Sequence, residues 1–294
     1  QLDEILSLSD VKLALYVNHD PINFECLRFT SITHVYLGHG DSDKGVSVSN
    51  QVKAYDYCFL AGQAAIDRTL TSVMAYDAAA RSVLIGQPQL DAAPVTGQPD
   101  PTRPTVLYAP TWEGSQPSVS YGSAITHGHT IVTALKDAYR VIYRPHPLNG
   151  VADAEYGQAD AALREMADRV DTKVTLEESF ADADILITDV SAVTLHWLPT
   201  GKPVLVTTPA APVPPSPLMQ ALPLLAADAD VAGAVRRHLE TDPTADARRT
   251  MIEHYLGDTT PGVATARFVQ ACTDVIEQRD TLWAAQQAKG ATGP

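Results

Sequence analysis

Three short motifs carry the side chains able to do chemistry. Tyr143–Pro147 reads Y-R-P-H-P behind the apolar run Val141–Tyr143. Gly38–Gly40 reads G-H-G behind Val35–Leu37, and Thr188–Ser191 reads T-D-V-S behind Ile185–Ile187. Each places a His, Arg, Asp or Ser where a strand candidate gives way to a loop or helix. In open α/β sheets that edge is where ligands bind. A base, a cation and a hydroxyl at three such edges predict a site for a phosphorylated substrate.

Each motif also has a plainer reading. His39 sits between Gly38 and Gly40, and flanking glycines let a ligand approach the backbone. Imidazole accepts a proton near neutral pH, so His39 reads as a general base or as an ordinary loop residue. Arg144 and His146 are separated and followed by prolines, which stiffen the turn. An Arg fork suits a phosphate, so the pair reads as a phosphate clamp or as a rigid surface turn. Asp189 and Ser191 open a helix. They read as its cap or, with the positive end of the helix, as part of a ligand site. Trp112, in A-P-T-W at Ala109–Trp112, reads as a packing residue or a stacking platform. T-H-G-H-T at Thr126–Thr130 has no third ligand nearby, so no metal site is predicted. Lys44 reads as a solvated loop residue or a phosphate contact.

The elements that must position these residues follow a βαβα rhythm, which predicts a parallel sheet. Strand candidates are Leu13–Val17, Val35–Leu37, Tyr57–Ala61 and Val83–Gly86, with a helix at Gln63–Leu70. Pro88–Pro104 is rich in Pro, Gly, Asp and Thr and reads as a linker. A second series follows. It has strands at Val106–Ala109, Val141–Tyr143, Val174–Leu176, Ile185–Ile187 and Pro203–Thr207. Its helices are Thr130–Tyr139, Ala159–Val170, Glu177–Ala183 and Ser191–Leu198. Pro209–Pro217 excludes regular structure. Val231–Glu240 and Gly262–Ala285 close the chain as helices. The predicted domains are 1–98 and 99–294, with the last helix able to pack back on the first domain.

The 294 residues suffice for two cores. At 45% hydrophobic and 19% charged, the chain is globular. A net charge of −14 argues against a general nucleic-acid or anionic-membrane surface. An anionic substrate would rely on local cations and helix ends. No run of ~18 apolar residues predicts a membrane span. Cys26, Cys58 and Cys272 show no metal spacing and read as reduced thiols of a cytoplasmic protein. The opening Q-L-D-E-I-L is no signal peptide and lacks an initiating Met, which suggests a piece of a longer protein.

With these residues laid out, the chain resembles the CDP-glycerol glycerophosphotransferase family, the teichoic acid polymerases and their relatives. The resemblance rests on H-G at His39–Gly40, A-P-T-W at Ala109–Trp112, R-x-H-P at Arg144–Pro147 and A-D-I-L-I-T-D-V-S-A-V at Ala183–Val193. Y-L-G-D at Tyr255–Asp258 also fits. It implies an α/β fold of the GT-B type, two Rossmann-like domains facing a cleft; against that pattern the N-terminal domain reads as short, because Leu13–Val17 is late for its first strand. It implies transfer of an alditol phosphate, such as glycerol or ribitol phosphate, from a CDP-linked donor to a cell-envelope polymer or its lipid-linked precursor, with release of CMP. His39 would be the base, with Arg144 and His146 steadying the diphosphate. Gly40, Lys44, Pro110, Thr111, Asp189, Ser191 and Ala192 would line the substrate. No cofactor, metal or nucleic-acid partner is implied. The protein would be cytoplasmic, with peripheral contact to the inner face of the membrane compatible. The chain departs from the family pattern in H-G-D-S-D-K, where H-G-T-P-[LM]-K is usual. It also departs at Ala192 and His196, where a Ser and an acid are common. Another GT-B sugar-nucleotide transferase or epimerase, or a non-catalytic nucleotide-binding module, remains an alternative.

Overall fold

The structure is a computed structural model describing residues 4, 10–38, 42–43, 48–91, 97, 102–114, 120–209 and 215–291. The chain divides into two compact units. One comprises Gln1–Asp41, Val48–Ala92 and His254–Pro294, and the other Ser42–Ser47 and Ala93–Glu253.

Unit 1 carries β1 (Leu13–Tyr16), α1 (Asn23–Leu27), β2 (Thr33–Tyr36), β3 (Tyr57–Leu60), α2 (Gln63–Ser72), α3 (Ala78–Arg81) and β4 (Ser82–Leu84). Its four described strands pair in parallel in the order β1-β2-β3-β4. Successive side chains of a strand point to opposite faces. Val35 and Phe59 therefore bury on one face with Ala271 and Val275, while Tyr36 and Cys58 bury on the other with Tyr55 and Val73.

Unit 2 carries β5 (Thr105–Ala109), α4 (His129–Leu135), β6 (Arg140–Tyr143), α5 (Ala154–Met166), β7 (Arg169–Val170), α6 (Leu176–Asp182), β8 (Ile185–Thr188), α7 (Ala192–Trp197), β9 (Val204–Thr207), α8 (Pro217–Ala221), β10 (Leu224–Leu225) and α9 (Val231–Thr241). α10 (Ala245–Leu256) spans the unit boundary, and α11 (Val263–Ala291) belongs to unit 1. The six strands run parallel in the order β10-β9-β8-β5-β6-β7. β5, β6, β8 and β9 are almost wholly buried and continuously apolar, as expected for strands covered by helices on both faces. Val106, Ile131, Leu135, Val141, Leu163, Ile185, Ile187 and Val235 fill the core.

Two local readings are corrected. Val174–Leu176 is not a strand: Thr175 caps α6, and Glu178 completes a capping box with it. The helix expected to run to Val170 ends at Met166, because Ala167 turns extended and Arg169–Val170 pairs with β6. Sequence reasoning also missed α10, a helix of twelve residues.

The loop after β6 depends on Gly150. Its φ is +73°, and a Cβ there would lie 2.4 Å from the Cα of Gly157 in α5. The backbone N of Gly157 would lie 2.8 Å away as well, and neither backbone atom yields cheaply. Gly150→Ala should lower the unfolding free energy by roughly 2–3 kcal/mol, combining left-handed strain with overpacking. Denaturant unfolding checks this, and a loss below about 0.5 kcal/mol would contradict it.

Candidate functional site

Parallel pairing brings the C-terminal ends of the unit 2 strands to one edge. The register sets Ala109 beside Thr188 and Tyr108 beside Tyr143. Pro110, Asp189 and Arg144 therefore leave the sheet side by side. From β5 the chain winds outward through β6 and β7, then returns to β8 on the other side. The junction of β5 and β8 is the topological switch point, where such sheets bind ligands.

Asp189 lies at this junction, with no exposed surface. One carboxylate oxygen accepts from the backbone N–H of Thr111 at 2.7 Å and of Ser123 at 3.1 Å. The other accepts from the Thr207 hydroxyl. The side chain therefore links the loops after β5 and β8 to the last residue of β9 and does not cap α7. Burial pushes its pKa up to about 6, with the donors from Ser123, Thr207 and Thr111 opposing that rise. Ser191 is the N-cap residue of α7 by backbone geometry, yet its side chain makes no cap bond. Its Oγ is shielded from solvent and has no hydrogen-bond partner among the described residues. Ala192 begins α7, a helix of six residues. Pro110 and Thr111 are buried, and the Thr111 carbonyl accepts from the Tyr156 hydroxyl at 3.1 Å.

Arg144 is held from two directions. Its backbone N–H donates to Tyr108 at 2.9 Å. Its Nη1 donates to the carbonyls of Val174 (3.0 Å) and Thr175 (3.2 Å) and to the Ser179 hydroxyl (2.9 Å). Ser179 in turn donates to the buried Asp171. One end of the guanidinium is thus fixed, while Nε and Nη2 donate no hydrogen bond to the described residues. A planar fork fixed on one nitrogen can present its other edge to an anion.

His146 lies two residues on. Its Nδ1 accepts from the backbone N–H of Leu148 at 3.1 Å. Because an amide can only donate, the neutral ring must carry its proton on Nε2. The ring of Trp112 lies nearly parallel to it, with centroids 6.1 Å apart and planes at 19°. The loops after β5 and β6 are thus joined through Trp112 and His146.

Sequence reasoning missed Glu113, which follows Trp112. It is 7% exposed and accepts from the backbone N–H groups of Gly150 (3.1 Å), Ala152 (3.0 Å) and Asp153 (3.2 Å). Burial works against its charge, but the backbone donors win and hold its carboxyl below the usual range. Tyr156 was also missed. Its hydroxyl accepts from Ala124 N–H, and a Cβ on Gly122 would collide with it at 1.8 Å. His39, Gly40 and Lys44 lie outside the described residues. Among the described residues, no three His, Cys, Asp or Glu side chains are grouped to hold a metal ion.

The raised pKa of Asp189 has a signed consequence. Folded Asp189 holds its proton to about pH 6, whereas the unfolded side chain loses it near 3.8. Its contribution is fully present below pH 3.8 and is lost as pH rises through 6. Wild-type stability relative to Asp189→Asn should therefore fall by about 2 kcal/mol between pH 4 and pH 7. Paired denaturant unfolding measures this. A difference that stays flat or grows with pH would contradict the assignment.

The CDP-Glycerol:Poly(glycerophosphate) glycerophosphotransferase family matches residues 36–211, more than half of the chain. No curated protein matches it in sequence. Among solved structures, a variant of the Wall Teichoic Acid Polymerase TagF superposes with a TM-score of 0.59 at 14% identity, covering 92% of this chain and 74% of that one. A putative UDP-N-acetylglucosamine 2-epimerase from Listeria monocytogenes gives 0.63 at 12% identity, covering 94% and 78%. The S. aureus MnaA-UDP co-structure gives 0.60 at 16% identity, covering 92% and 75%. The fold is thus of the GT-B type with two Rossmann-like units, and the chain belongs to the CDP-glycerol:poly(glycerophosphate) glycerophosphotransferase family.

Proposed function

We propose that this protein transfers an alditol phosphate from a CDP-linked donor to a hydroxyl of a cell-envelope polymer or its lipid-linked precursor, releasing CMP. The observation that carries this reading is the half-fixed Arg144 fork beside a His146 whose neutral form carries its proton on Nε2. Both are donors at the edge where a parallel sheet receives a phosphorylated ligand. A TagF variant studied after soaking with CDPG lends support from a protein of like fold.

In the reaction, the acceptor oxygen attacks the β-phosphorus of the donor. The bond from that phosphorus to the bridging oxygen breaks, and its electron pair leaves with CMP. His39 takes the acceptor proton. Arg144 and His146 offset charge on the diphosphate, and Thr111, Ser191 and Ala192 border the nucleotide. Gly40 and Lys44 would serve the acceptor. Asp189 acts from below by fixing the Thr111 backbone. Charge stabilisation by fixed donors is the largest contribution available to phosphoryl transfer of this kind. The described residues include no helix long and apolar enough to cross a membrane. A lipid-linked acceptor would therefore be met by surface contact or through another segment.

Release of CMP from CDP-glycerol and CDP-ribitol tests the reading. One of the two donors should be turned over. His39→Ala should lower kcat by about 10²–10⁴-fold, with donor affinity little changed. Turnover of a UDP-sugar with neither CDP-alditol consumed would instead support an epimerase or sugar-nucleotide transferase.

A further inference from the structure

The loop carrying His146 is held by the loop carrying Trp112 at two adjacent residues. Trp112 lies against the imidazole, and Glu113 beside it takes three backbone N–H groups from Gly150, Ala152 and Asp153. These donors lie 37 to 40 residues away in sequence and span the stretch that leads into α5. Asp153 begins that helix, its carboxylate accepting from Glu155 and Tyr156. The same loop is tied at Asn149, whose amide donates to Tyr143 and Asp160. Asn149 N–H also donates to the His146 carbonyl at 3.0 Å. Glu113 is too buried to meet substrate, so its carboxylate can act only through what it holds.

We propose that Glu113 is a positioning residue for the transfer reaction: by binding the Gly150–Asp153 backbone it fixes the His146 ring against Trp112 in the orientation that meets the donor diphosphate. This rests on the reading in which His146 acts on that diphosphate. Neutralising Glu113 leaves an amide N–H facing backbone N–H groups. The loop must then shift, and His146 shifts with it. Displacement of a reacting group by about 1 Å can cost on the order of 10²-fold in rate.

The test is a double-mutant cycle on CMP release with Glu113→Gln, His146→Ala and the double variant. KM is measured alongside kcat, and folding is checked by circular dichroism. Glu113→Gln should lower kcat about 10–100-fold in the wild-type background and less than about two-fold when His146 is already Ala. Equal losses in both backgrounds would mean that Glu113 supports only the fold, and no loss in the wild type would also overturn the proposal. If His146→Ala alone keeps wild-type turnover, the parent reading of His146 fails and the Glu113 proposal fails with it. If Glu113→Gln does not fold, Glu113→Asp enters the same cycle. Asp keeps the charge but is one methylene too short to reach all three donors, so the same non-additivity is expected and the same additivity would refute it.

Discussion

The buried carboxylate of Asp189 is the interaction on which the unit 2 site depends. Two backbone N–H groups from the stretch after β5, those of Thr111 and Ser123, and the hydroxyl of Thr207 at the end of β9 converge on one side chain at the end of β8. Removing it would orphan three buried donors, at a cost of about 1–3 kcal/mol for each one left unpaired. Other contacts rest on this geometry. Tyr156 reaches the Thr111 carbonyl only if Thr111 is held in place, and Tyr108 meets Ser123 at 2.8 Å only if Ser123 is. A carboxylate suits this role because its two oxygens together accept all three bonds, whereas a hydroxyl or an amide offers a single accepting oxygen.

The same device recurs, and it would let an acidic chain host the anionic donor of the proposed function. Asp189 and Glu113 are filled by donors from the protein, while Asp160 and Asp171 bind Tyr143, Arg164, Arg169 and Ser179. These carboxylates act as internal joints whose charge is already met by partners. Among the described residues the strand-end edge also carries a guanidinium held by one nitrogen and an imidazole whose Nδ1 accepts from Leu148. The net charge of −14 therefore says little about this edge.

Much of the fold was legible in the sequence because buried parallel strands are continuous apolar runs bounded by turns. Ile185–Ile187 and Val141–Tyr143 could hardly be read otherwise. Val174–Leu176 was misread because Val and Thr favour strands locally. The T-x-x-E pattern of Thr175 and Glu178 was present and should have marked a helix start. β7 was hidden because two residues are too few to break a helical pattern. At the site, Arg144 and His146 stood out through the stiff R-P-H-P context. Glu113 did not, because a lone acid has no periodicity and its donors arrive from a distant loop. Asp189 could be seen, but its task could not: its partners lie 66 and 78 residues back, and another 18 ahead.

In the proposed function the strand-end edge of unit 2, with Arg144 as its fixed cation, holds the diphosphate of a cytidine nucleotide. Calorimetric titration of wild type and Arg144→Ala with CDP and UDP decides this. CDP should bind wild type more tightly than UDP does, and Arg144→Ala should weaken CDP about ten-fold or more, the loss of a charge-assisted contact. Identical CDP affinity in the two proteins, or a preference for UDP, would refute that role.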